Sequence, residues 1–262
     1  VGLYKFDVLS QRGLGKISEA LDIIRQSQPA QELPDIHNIA ILKQDQKIAQ
    51  FLRNGWALGC FYVESPAMRM LLIKLQVDNY LALVAASSII RPGVAQSGMM
   101  RQYVLRHREP ERRKEIHPLL LAIMPETYGV MVYQEQIMQI LNQLGGIELS
   151  SAYACIKAIS KKKHDIIDKR KEEFIRGAKE RGLDEKTSSD IFQLIVVFGG
   201  YGFNKSHSAA YAHIGFQTAY LKQHYRPEFM AALLTSEIED GNKRDSLVMH
   251  IDDARRGGVE VC

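Results

Sequence analysis

"GYGFNKSHSAAYA", residues 200–212, sets the architecture, because a glycine-rich loop opens directly into a helix. Gly199, Gly200 and Gly202 permit close backbone approach or unusual dihedrals, and Asn204 is suited to cap the helix. Lys205, Ser206 and His207 then fall on its first turn, where unpaired backbone N–H groups and the helix dipole favour an anion. A plainer reading stands beside this one. The glycines let two helices pack closely, with Ala209, Ala210 and Ala212 serving the contact. The helix is predicted to run to about Tyr225, where "YRPEF" breaks it ahead of another, "FMAALLTSEIED".

Outward from that stretch the helical pattern persists. "VMVYQEQIMQILNQL" (130–144) reads as a short strand passing into an amphipathic helix. Residues 161–182 read as one long polar helix closed near Gly182, and 185–198 as a more buried one. Further helices are predicted over about 45–54, 65–75 and 78–90, with Asp45, Ser65 and Asp78 as N-caps and Pro66 in a first turn. Leu14, Ile17, Leu21 and Ile24 have helical spacing, and "QSQPAQELPD" (26–35) is a connector. Only "LYKFDVL" (3–9) alternates as a strand, which puts Lys5 and Asp7 on one face. The fold class is therefore mainly α, with a short β segment at the N-terminus.

With 46% hydrophobic and 24% charged residues, the 262-residue chain has the composition of a folded globular protein. No apolar run approaches the roughly 20 residues of a membrane helix and no signal peptide is evident, so a cytoplasmic protein without a membrane partner is expected. Cys60, Cys155 and Cys262 lack CxxC spacing, and Cys60 and Cys155 read as small buried hydrophobes. The net charge is only +4, yet residues 101–114 carry six Lys/Arg against two Glu, and 157–171 carry seven against two Asp. Two local basic patches suggest a polyanion partner, although solvated helix faces give the same pattern. The chain begins inside a strand-like run and stops at "GGVEVC", which reads as a piece of a larger protein.

Several chemistries lack their signatures. There is no Walker A loop, no Rossmann context for the glycines, no HExxH and no GxSxG. Lys157 and Lys161 share a helix face and could together meet a phosphate chain; a solvated helix end is the alternative. Arg91 stands before the rigid turn "RPG". Asp7 is a lone strand carboxylate, and two-metal phosphoryl transfer needs several. If Asp7 is catalytic, its partners lie outside this chain.

The order of the motifs is more informative than any one. "KFDVLSQRGL", "GCFYVES", "RPGVAQSGMM", "ETYGVMVYQEQIM", "ISKKK", "GGYGFNKSHSAAYAHIGFQTAYLK" and "EFMAALLTS" follow one another over nearly the whole chain. In this the chain resembles the bacterial replicative DNA polymerase III alpha subunits, from the end of the palm through the helical fingers domain. The resemblance implies a division into residues 1–30 (palm), 31–240 (fingers) and 241–262 (start of the next helical region). It implies DNA-templated DNA synthesis with Mg2+ in the complete active site, and an isolated segment that does not polymerise.

The resemblance also assigns roles. Asp7 matches a catalytic, metal-binding palm carboxylate and Lys5 a lysine facing the triphosphate. Arg91, Lys157, Lys161, Lys205 and His207 are the other candidates for binding the incoming dNTP. Arg101, Arg106, Arg108, Lys162 and Lys163 are candidates for primer–template DNA, through phosphates that position without specifying. Replisome subunits would bind through regions outside this chain. Ile156 and Lys157 stand where the family usually has two arginines, Tyr62 where it often has Gln, and Val94 where a second proline is common. With Tyr153, Ile156 favours the alternative of a divergent, non-catalytic nucleic-acid-binding paralogue.

Overall fold

The structure is a computed structural model that describes residues 2–6, 11–30, 32–91, 94, 97–240 and 244–262. It is mainly α, as predicted. In chain order the helices are α1 Arg12–Ser27, α2 Ile39–Gln44, α3 Gln46–Arg53, α4 Pro66–Leu75, α5 Tyr80–Ile89, α6 Met99–Arg108 and α7 Pro118–Ile123. They continue with α8 Gln134–Gln143, α9 Leu149–Ser160, α10 His164–Glu180, α11 Glu185–Gly199, α12 Lys205–His224, α13 Arg226–Asp240 and α14 Arg244–Arg256. Short 3-10 turns at Pro110–Glu115 and Pro125–Thr127 flank α7.

Two compact units divide the chain, one of Val1–Tyr80 with Tyr211–Cys262, the other of Leu81–Ala210. Helix α12 gives Lys205–Ala210 to the second and Tyr211–His224 to the first. In the first unit, Ile17, Ala20 and Ile24 of α1 share a core with Leu221, Phe229, Leu233 and Ala254. Lys222 is buried there as a clamp. Its ammonium donates to the carbonyls of Trp56 (3.1 Å) and Leu58 (2.6 Å) and pairs with Asp253 at 2.8 Å, which satisfies all three of its donors.

The second unit packs Ile137, Ile140 and Leu141 of α8 against Cys155 and Ile159 of α9, Phe174 of α10, and Phe192 and Ile195 of α11. Cys60 and Cys155 are both fully buried, and burial pushes each thiol up to about 11. They act as the small hydrophobes their spacing suggested.

Several local expectations change. Residues 2–6 form no strand and Leu3, Tyr4 and Phe6 are exposed; a strand needs a neighbouring strand for its N–H and C=O groups, and no ladder to this segment forms among the described residues. Residues 7–9 of that stretch lie outside the described residues. The polar helix of 161–182 begins only at His164, because Lys161 and Lys162 form a turn with Lys162 left-handed at φ 53°. Gly182 closes α10 as predicted, at φ 86°. Asp45 and Ser65 cap α3 and α4, whereas Asp78 is held by Arg53. Leu14 lies on the exposed side of α1, where Ala20 takes the buried place.

Candidate nucleotide-facing site

Gly199, Gly200 and Gly202 all keep negative φ, so unusual dihedrals are not what this loop needs. What it needs is closeness. A Cβ on Gly199 would stand 3.0 Å from Ile159 Cδ1, so the absence of a side chain lets the end of α11 rest on the end of α9. The loop therefore sits beside the lysine-rich turn that follows Ser160.

Past the glycines, Phe203 forms a parallel bridge with Tyr133 of "ETYGVMVYQEQIM". The Gln134 N–H donates to the Phe203 carbonyl at 3.0 Å. The Tyr133 end of the bridge is fixed from beneath by a buried side chain. Gln136 Oε1 accepts from the N–H groups of Val132 (2.9 Å) and Tyr133 (3.0 Å), and its Nε2 donates to Thr127 Oγ1 at 2.8 Å. Tyr133 itself is buried, and burial raises its pKa.

On this frame three of the predicted nucleotide-binding residues come together. The Arg91 guanidinium lies over the Phe203 ring, 3.0 Å from its centroid. His207 meets the same ring edge-on, with centroids 5.0 Å apart. The Lys205 ammonium lies 5.4 Å from the Tyr133 ring centroid and touches both carboxylate oxygens of Glu126, at 2.7 and 2.6 Å. At the start of α12 the Lys205 N–H donates to both Glu135 oxygens at 3.1 Å, and Asn204 Oδ1 accepts from the His207 N–H at 3.1 Å. The predicted Asn204 cap is present, and Glu135 supplies an anion at the helix start.

The remaining lysines cluster at the end of α9. Lys157 lies over the Tyr153 ring at 4.5 Å, and Lys161, Lys162 and Lys163 are exposed on the turn that follows. Ile156 does not face solvent. It is buried in the core of the second unit with Ala152, Cys155 and Ile159, one stripe at helical spacing. Position 156 therefore presents no cation to solvent, and Lys157 beside it is the exposed charge.

Side chains of the arginine-rich helix α6 and of the 3-10 turn after it meet the "ETYG" turn, in which Tyr128 and Gly129 are left-handed at φ 55° and 71°. Arg106 Nη1 donates to the Tyr128 carbonyl at 3.2 Å, His107 Nδ1 lies 3.0 Å from the Tyr128 hydroxyl, and Arg113 stacks on its ring at 4.1 Å. Burial draws the Arg106 pKa down, against the opposing pull of Glu115. Arg101 and Arg106 line a cleft of about 520 Å³ with Leu120, Met131 and Phe198. Arg108 is exposed at the end of α6.

Lys5 is exposed on the extended segment 2–6, and Asp7 lies outside the described residues. Among the described residues no group of three or more His, Cys, Asp or Glu is arranged to hold a metal ion. Asp7 is the one ligand expected from this chain, so the described residues by themselves do not compose a Mg2+ site. No helix among the described residues is long and apolar enough to cross a membrane.

Sequence reading missed Phe203, Tyr133, Glu126, Glu135 and Arg113. The signal for two of them was present: Glu126 opens "ETYGVMVYQEQIM" (126–138) and Glu135 lies within it.

Residues 13–182 match the model of the bacterial DNA polymerase III alpha subunit finger domain. The chain is 40% identical over 261 residues to the DNA polymerase III subunit alpha of Helicobacter pylori strain J99, covering 100% of this chain and 21% of that protein. It is 38% identical to the subunit of Campylobacter jejuni over 261 residues, and 37% identical to that of Escherichia coli K12 over 268 residues, which is 23% of the latter. The chain thus spans little more than a fifth of the length of these relatives. With its motifs in family order over nearly all its length, the chain belongs to the bacterial DNA polymerase III alpha subunit family and contains its finger domain.

Proposed function

We propose that this chain is the end of the palm (1–30), the fingers (31–240) and the start of the following region (241–262) of a cytoplasmic DNA-directed DNA polymerase. In the reaction a primer 3′ hydroxyl attacks the α-phosphate of a dNTP, the bond to the β-phosphate breaks, and pyrophosphate leaves. The carrying observation is the convergence of Arg91, Lys205 and His207 on the Phe203 and Tyr133 rings. Three groups able to donate to phosphate oxygens, set beside two aromatic faces, suit a nucleoside triphosphate.

Lys157 and Lys161 extend the cationic surface along the end of α9, and Lys5 serves the triphosphate from the palm side. Arg101, Arg106, Arg108, Lys162 and Lys163 hold the phosphates of primer–template DNA without reading bases. Asp7 is the one metal-binding carboxylate this chain supplies to the Mg2+ site. The segment alone is inactive, and replisome subunits bind elsewhere on the complete polymerase.

The test is single-nucleotide primer extension by the complete polymerase with magnesium. Extension that disappears in Asp7→Ala, with a raised dNTP KM in Lys157→Ala, supports the reading. Extension unaffected by Asp7→Ala contradicts it.

A further inference from the structure

The candidate nucleotide-facing lysine is already holding an anion. Lys205 meets Glu126 through both carboxylate oxygens, at 2.7 and 2.6 Å. We infer that Glu126 is an internal stand-in for phosphate, a positioning residue that competes with the incoming nucleotide for Lys205 and sets how strongly the site binds it. The inference rests on the reading of Lys205 as a triphosphate contact.

Two features let Glu126 release Lys205 without disturbing the helix. Both side chains are about one-third exposed, at 36% and 37%, so water and salt screen the pair and it exchanges at little cost. By contrast, Glu135 binds the Lys205 backbone N–H rather than the ammonium, and so anchors the first turn of α12 whether or not Glu126 lets go. The helix start stays pinned while the side chain is released. A polyphosphate carries more charge than one carboxylate and offers several acceptors to the same ammonium, so it displaces Glu126, whereas a single DNA phosphate competes less well.

The competition has a direction that a merely structural ion pair lacks. Removing the Glu126 charge frees Lys205 in advance, so the polymerase should bind dNTP more tightly, not less.

The experiment measures dNTP KM and kcat for single-nucleotide extension by the complete polymerase in wild type, Glu126→Gln, Glu126→Asp and Lys205→Ala. A KM about two- to fivefold lower in Glu126→Gln, the range set by an exposed ion pair, is expected with kcat unchanged. Glu126→Asp keeps the charge but shortens the reach to Lys205, so its KM falls between those of wild type and Glu126→Gln, and Lys205→Ala raises KM. A raised KM in Lys205→Ala with KM unchanged or raised in Glu126→Gln overturns the competition but leaves the nucleotide site standing. An unchanged KM in Lys205→Ala overturns both. Thermal midpoints of the variants separate a folding defect from an effect at the site.

Discussion

Gly177 lies so close to Gly145 that a Cβ built on it would stand 1.9 Å from the Gly145 carbonyl oxygen. The obstacle is backbone, which cannot swing aside as a side chain can. Gly177→Ala is therefore expected to separate α10 from the turn after α8 and to cost about 3 kcal/mol or more in urea unfolding. An unchanged midpoint would mean that the two segments part without loss.

Gln136 answers three polar groups in a buried place, among them the backbone N–H groups of Val132 and Tyr133. Gln136→Leu fills the same volume but leaves both N–H groups and Thr127 Oγ1 without that partner. The expected loss is about 2–4 kcal/mol, from unmet donors each costing about 1–3 kcal/mol. The Tyr133–Phe203 bridge should loosen with it, visible as faster amide exchange at Gln134.

His250 is buried, with Nδ1 2.7 Å from Glu237 Oε2 and Nε2 3.5 Å from Glu64 Oε2, the second contact being charge attraction without hydrogen-bond geometry. Burial alone would lower its pKa, but the two carboxylates outweigh burial and raise it above the ordinary 6.5. Its stabilisation is then fully present below about 6.5 and lost as pH rises through the raised value. Glu64 is held below its ordinary 4.5, first by His250, so its share is present above 4.5 and lost as pH falls through the depressed value. Between these limits both contribute in full. The urea midpoint should fall from pH 6 to pH 9 in wild type, and fall less in His250→Ala. At pH 6 that variant should be weaker by about 3 kcal/mol, since it strands buried Glu237.

Lys161, Lys162 and Lys163 project from one exposed turn. If all three meet DNA phosphates, replacing them with Ala in the complete polymerase should weaken primer–template binding for every sequence alike. The slope of log K against log salt should become shallower by about 2 to 3, close to 0.9 for each phosphate that a lysine neutralises. A slope equal to wild type would mean that these lysines are solvated.

Most helices were legible because their local signals agreed. Asp45 and Ser65 carry side chains that accept the first N–H groups of α3 and α4, and Gly182 provides the left-handed residue that ends α10. The break at Lys161–Lys163 was hidden, because a left-handed lysine at 162 is a choice made by packing, not by propensity. The inward orientation of Ile156 is written in the spacing of 152, 155, 156 and 159, one buried stripe of α9. The site was half legible. Lys205, His207 and Arg91 stand out as charges near turns, but the aromatic pair that gathers them joins residues 133 and 203, a pairing that no local pattern encodes.

The most direct measurement is the dissociation constant of the correct dNTP from the complete polymerase on primer–template DNA, compared between wild type, Arg91→Ala and Lys205→Ala. Each variant should bind the dNTP about tenfold or more weakly, as expected when a charge-assisted phosphate interaction is removed, while DNA affinity stays within about twofold. Weaker DNA binding with dNTP affinity intact would contradict a nucleotide-facing role for the cluster around Phe203.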